Sequence, residues 1–357
     1  MSAVWLRGRV WRAAEWRRLW ALAAFFCLLA VSGCTQASPG GQQTAALPVL
    51  ASAPQLAAYH VFVTDLGTGH LAELGKGTTS GGKSLHGLAL APDGQTIYAS
   101  DVADNRVDLF AATNAAPRLL RSVPVGLYPV HIAFSRDGRY AYVTNFQAGS
   151  VSVIDTTRGA VIKTISTPQG PHGLTASPDG RLIYVPCLNG QALVVIDTQT
   201  NTLTQTLTLP ANAHPYSVVA SKDGRYLYIT DNFFGRVLVV DTTKLDDPTQ
   251  AVVGGAAAGQ QPVLLAMAPD GQHLYVTNSG GNLTVLDIAS DPLHPQLVAT
   301  VPVGRSPHGV AVSPDSRYVV VANILSATLS VIDASTNAVV ATIKAEKYPN
   351  DVLITSA

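Results

Sequence analysis

Cysteine is almost absent from this chain: there are three in 357 residues, at positions 27, 34 and 187. Cys27 lies inside an apolar N-terminal run, so Cys34 and Cys187 are the only thiols beyond it. If Cys34 is modified, no intramolecular disulfide can form. Tryptophan stops early, since Trp5, Trp11, Trp16 and Trp20 are all four. Charge is scarce at 13 % and balanced, with 23 basic and 23 acidic residues. Taking away the five arginines and one glutamate of residues 1–33 leaves 18 basic and 22 acidic, a net of −4. That balance argues against nucleic-acid binding, which needs clustered Lys and Arg to displace phosphate counterions. Also missing are CxxCH for covalent haem, GxSxG, a P-loop and HExxH, so no cofactor is expected.

The longest apolar run is Leu19 to Val31, 13 residues. It is too short to span a hydrocarbon core of roughly 30 Å as a helix, and with the arginines before it reads as a secretory leader over residues 1–33. The run closes on Val31-Ser32-Gly33-Cys34, which resembles the bacterial lipoprotein box. Small residues fit a peptidase site there, and the Cys34 thiol would take the lipid, anchoring the chain to a bacterial membrane on its extracytoplasmic side. Residues 34–55 are Gln-, Ala-, Ser-, Pro- and Gly-rich without charge, the composition of a flexible tether. Leu47 to Ser52 is alternatively an edge strand.

From residue 56 to 357 the chain repeats. Ser177-Pro178-Asp179-Gly180 returns as variants starting at Ala91, Ser135, Ser221, Ala268 and Ser313, in steps of 44, 42, 44, 47 and 45 residues. Each unit holds β-branched runs broken by turn residues, which marks four-stranded propeller blades rather than helical repeats. Each begins with Pro and a short strand a, turns at SPDG, and continues through strands b, c and d. Strand c endings align at Asp65, Ala111, Asp155, Asp197, Asp241, Asp287 and Asp333, giving seven blades from six SPDG turns. The expected fold is therefore all-β, a seven-bladed propeller whose last blade joins Tyr348–Ile354 to the N-terminal stretch Tyr59–Gly75, taken as strands c and d. Such a ring is expected to be monomeric.

The copies Tyr142-Val143-Thr144-Asn145 and Tyr275-Val276-Thr277-Asn278 resemble the YVTN family of bacterial seven-bladed propellers. The resemblance implies fold more than activity, because the same scaffold resembles lactonases, the propeller of nitrous oxide reductase and haem d1 proteins. It also implies that strand a lines the central channel. The residue after the repeat's Pro, which is His86, Val130, His172, Tyr216, Val263, His308 and Asn350 in turn, then points into a funnel. His86, His172, Tyr216, His308 and Asn350 are the candidate ligand-binding residues. The three histidines are weak metal candidates, because the channel is too wide for bonds near 2 Å. His131 and His214 lie off the register and are placed at the rim.

Cys187 stands where other copies carry Asn, and pairing Ser177 with Gly180 would set it diagonally from His172. An inert buried thiol is favoured there over a redox role. The repeated Asp residues are read as turn caps, since an active site needs to occur once. The absence of Asp or Glu at the funnel positions counts against a calcium-dependent lactonase. The reading preferred on sequence is a binding module for a protein, glycan or small molecule, with Leu245–Gly259 and Ser290–Pro295 as a partner surface. A lactonase-like hydrolase at the funnel, or a metal- or cofactor-binding propeller, is the alternative.

Overall fold

A computed structural model describes residues 53–112 and 115–357. The leader, Cys34 and the tether up to residue 52 lie outside the described residues. Ala53 and Leu56 are already buried among Val61, Val352 and Ile354, so packing of the domain includes them.

The described chain forms seven four-stranded antiparallel sheets. Six are continuous in sequence, and the second is representative: strand a Pro129–Phe134, b Tyr140–Asn145, c Ser150–Asp155, d Ala160–Ser166. Strands b and c are buried along nearly their whole length, as in Ser150–Asp155, because both faces press on neighbouring sheets. Strand d alternates exposed and half-buried, as in Thr202–Thr208, because it forms the outer edge. Tyr142, Tyr228 and Tyr275, the Tyr of the YVTN-type strand b, are the largest fully buried side chains between blades.

The SPDG turns work as their residues imply. Asp137 Oδ1 accepts from the Arg139 N–H at 3.0 Å and the Ser135 hydroxyl at 2.6 Å, while Gly138 takes φ of 68°. The strand c aspartates cap as expected: Asp155 Oδ1 accepts from the N–H groups of Thr157 and Arg158, both at 3.0 Å.

The seventh blade is assembled from both ends of the chain. Pro349–Ser356 is its strand a and pairs with Tyr59–Asp65, placing Val61 opposite Ile354. One detail differs from the expectation. Tyr59–Asp65 is strand b, followed by His70–Glu73 as c and Gly77–Ser80 as d. Asp65 is therefore equivalent to Asn145, the end of a strand b, and the count of seven stands because Glu73 takes its place. The two long insertions meet: the Gly255 N–H donates to the Leu293 carbonyl at 3.0 Å. A Cβ on Gly254 would stand 1.9 Å from that oxygen, so only glycine fits.

Candidate functional site

Every strand a begins with a bulge. In blade 2 Pro129 faces Asn145 and Ile132 faces Val143, so Val130 and His131 together oppose Thr144. The same slip recurs at Leu85/Leu88, Pro215/Val218, Pro262/Leu265 and Pro307/Val310. A bulge suspends the strict alternation of a strand, so both residues after the Pro come within reach of the channel. Taking only the first of them misplaced one residue and overlooked another. His131 is not at the rim but in the centre, and Asp351, which follows Asn350, sits beside it.

The bulged segments are tied around the axis by the Thr of the YVTN-type strand. Thr144 Oγ1 accepts from the His131 N–H at 3.1 Å and donates across to the His172 carbonyl of the next blade at 2.6 Å. Thr277 donates likewise to the His308 carbonyl at 2.7 Å, and Thr64 to that of His86 at 2.5 Å. Blade 3 has Pro186 at this position, and there the Gly173 N–H bonds the Tyr216 carbonyl directly at 2.9 Å. The glycine after each funnel histidine has a steric reason. A Cβ on Gly87 would lie 2.3 Å from the Val130 carbonyl oxygen, and on Gly309 2.7 Å from that of Asn350. The histidine repeat therefore lets adjacent inner strands nearly touch, which narrows the channel.

The rings consequently meet. His86 lies 5.2, 5.9 and 5.4 Å, centroid to centroid, from His131, His172 and His308. His131 is 5.2 Å from His172, and the Tyr216 ring lies 3.8 Å from that of His172, tilted by 37°. The Tyr216 hydroxyl is 3.3 Å from His308 Nε2, and Asn350 donates to the His86 carbonyl at 3.2 Å. His86, His172 and His308 are 5–7 % exposed. The channel was expected to be too wide for such contact, yet the imidazoles form the floor of the funnel mouth. Among the described residues no three His, Cys, Asp or Glu side chains stand in an arrangement that could hold a metal ion.

Burial sets the charge of this cluster. Desolvation, with repulsion from His308, lowers the His131 pKa to about 3, and desolvation lowers that of His308 to about 4. His86 and His172 are likewise held well below the ordinary value by burial and by the neighbouring imidazoles. Burial pushes the Asp351 carboxyl the other way, up to about 7, against the N–H groups of Val352 and Leu88, which donate at 2.9 and 3.3 Å. His131 Nδ1 stands 3.8 Å from Asp351 Oδ2. Despite that distance the pair is not a salt bridge, because His131 is neutral wherever Asp351 is ionised. His131 Nε2, His86 Nδ1 and His172 Nδ1 are buried without a hydrogen-bond partner.

His214 is half-buried at the mouth, its ring 5.1 Å from Phe233. Cys187 lies elsewhere than expected. The SPDG turn closes with Ser177 N–H on the Leu182 carbonyl, so Pro171 faces Cys187 and the diagonal relation to His172 is lost. Its thiol packs with Tyr142, Val151 and Val185 between blades 2 and 3, and burial raises its pKa to about 12. A recess of about 670 Å³ opens between blades 1 and 2 near Asp93, Arg121 and Asp137, on the opposite face from the histidines.

Residues 56–353 match the model of the lactonase seven-bladed β-propeller family. The chain belongs to that family. Solved structures of similar fold include the periplasmic gluconolactonase PpgL of Pseudomonas aeruginosa, at 21 % identity, TM-score 0.69, covering 84 % of this chain and 99 % of that one. A putative 6-phosphogluconolactonase from Bacteroides fragilis matches at 16 % identity and TM-score 0.70, covering 84 % and 98 %. Hydrazine synthase of Kuenenia stuttgartiensis also matches, at 21 % identity and TM-score 0.65, covering 75 % and 88 %. No curated protein sequence matches the chain. At these identities the structures establish the shared fold, and the different proteins that share it show that the fold alone does not name a reaction.

Proposed function

We propose that the protein is a lactone hydrolase acting at the funnel mouth, rather than the pure binding module its sequence first favoured. Family membership supports this reading, and one observation carries it: His131 has a buried Nε2 without a partner while its Nδ1 stands 3.8 Å from the buried carboxyl of Asp351. Closing that gap to a hydrogen bond gives a general base with an orienting partner. With Asp351 ionised, Nδ1 carries the proton, and once lactone and water enter, Nε2 takes a proton from that water while the carboxylate stabilises the charge on a ring that burial otherwise keeps neutral. The water oxygen adds to the lactone carbonyl, the Tyr216 hydroxyl donates to the developing oxyanion, and the imidazolium returns its proton to the ring oxygen as the acyl bond breaks. Lactone and water give a hydroxy acid, with no redox step.

The test is hydrolysis of δ-lactones by the purified protein, followed as acid release. Replacing His131 with Ala should lower kcat/KM by about 10²- to 10⁴-fold. Activity retained by both His131→Ala and Asp351→Asn would remove the dyad, and no turnover of any lactone would remove the hydrolase. Display outside the cytoplasm through lipid on Cys34 belongs to the same proposal. The expected result is membrane partitioning that Cys34→Ser abolishes.

A further inference from the structure

The collar directly above the histidine floor is built by one bond repeated in every blade. The residue after strand b donates its N–H to the carbonyl of the residue that precedes strand a's Pro or its equivalent, as from Phe146 to Tyr128 at 2.9 Å and from Leu66 to Tyr348 at 3.0 Å. At the first of these positions stand Leu66, Val102, Phe146, Leu188 and Ile324, with Asn232 and Ser279 in the remaining blades. The second position holds Tyr128 and Tyr348 among Ser, Gly, Gln and His. None of the fourteen residues so joined carries a charge. The Phe146 ring reaches inward to 5.8 Å from His172 and outward to 6.1 Å from Tyr128. Beyond it the rim exposes Leu127, Phe233, Phe234 and Leu325, at 55, 49, 47 and 45 %.

Three of the five cations flanking this collar are neutralised by carboxylates, and the other two are held against a carbonyl and a ring. Lys83 pairs with Asp104, Arg106 with Asp108 at 2.9 Å, and Arg236 with Asp231 at 2.9 Å. The Arg305 guanidinium donates to the Leu325 carbonyl at 2.9 Å, and Lys347 stands over the Tyr348 ring at 5.4 Å. The floor adds no positive charge, because its four imidazoles are neutral at pH 7. A phosphate brought onto the imidazole floor would lose water without gaining a cation there, whereas an alkyl chain would lie against Phe146, Leu188 and the tyrosines.

We infer that the mouth selects uncharged lactones bearing an apolar substituent and rejects phosphorylated sugar lactones. This rests on the hydrolase reading for turnover but not for binding, so the two are tested separately. Binding is measured by titration calorimetry with a δ-lactam carrying a pentyl chain, which is not hydrolysed, and with 6-phosphogluconate. Turnover is measured on the matching pentyl δ-lactone, gluconolactone and 6-phosphogluconolactone. The expected result is lactam binding that Phe146→Ser weakens about tenfold, and a kcat/KM for the pentyl lactone at least about tenfold above that for the phosphorylated one. Circular dichroism of Phe146→Ser checks that it folds, and Leu188→Ser provides a second collar variant. Tighter binding of 6-phosphogluconate than of the lactam, or no lactam binding, overturns the inference. Lactam binding without turnover of any lactone overturns the hydrolase and leaves the apolar mouth standing.

Discussion

At the scale of single residues, the chemistry of this protein depends on where water has been removed. Asp351 is an ordinary carboxylate in sequence, and its burial in the channel moves its ionisation to about pH 7. If Asp351 holds the tautomer of His131, lactone hydrolysis rises with pH through about 7, and Asp351→Asn loses that limb of the profile. The same groups set the pH dependence of stability. The histidines have folded pKa values below their ordinary 6.5, so their contribution is present above 6.5 and lost as pH falls through about 4 and about 3. Asp351 is raised from 3.8, so its contribution is present below 3.8 and lost as pH rises through about 7. Asp351→Asn should therefore raise Tm at pH 8 and leave it nearly unchanged at pH 4, as calorimetry can check. Cys187, with its thiol pushed up to about 12, should resist alkylation until the protein unfolds. Labelling of native protein within minutes would contradict its burial.

At the scale of the element, strand a decides the site, and its bulge explains what the repeat pattern concealed. The resemblance named His86, His172, Tyr216, His308 and Asn350 as funnel residues, and the structure brings the rings of the first four together. The repeat pattern could not show that the next residue also reaches the channel, because a bulge depends on how two strands register and not on either alone. His131 and Asp351 were missed for that reason. The signal that could have found them is Gly87, Gly173 and Gly309, which stand at the same position where adjacent strands crowd. Gly309→Ala should destabilise by about 1–3 kcal/mol because its Cβ meets backbone at 2.7 Å. Gly94→Ala, with open space around it and φ of 68°, should lose only about 1 kcal/mol through backbone strain. Thr144→Val removes the hydroxyl joining blades 2 and 3 and leaves the His172 carbonyl short of a donor, a loss of about 1–3 kcal/mol. Urea unfolding midpoints measure each of the three losses.

At the scale of the whole molecule, ring closure holds the site. Pro349–Ser356 pairs with Tyr59–Asp65 and carries Asn350 and Asp351 to His86 and His131. A chain ending at residue 348 would open the ring, expose the edge of Tyr59–Asp65 and lose Asp351 together. Its thermal transition should drop sharply or lose cooperativity, and a Tm within a few degrees of the full chain would show that closure matters little. The convergence at the axis also explains why the funnel is floored by imidazoles. Blades 1, 3 and 6 each present a histidine followed by glycine, and their spacing around the ring lets the rings meet without collision.

The sequence by itself determined the repeat, the number of blades, the turn chemistry and the closing of the ring, because each of these is local to one unit or set by its period. It misassigned the strands of Tyr59–Gly75, because only the pairing with Pro349–Ser356 reveals which strand is innermost. The tertiary structure alone decided that four imidazoles, a tyrosine and a buried carboxyl share one water-poor floor under an uncharged collar. Those residues belong to different blades, and their distances and ionisation depend on how seven twisted sheets pack about a common axis.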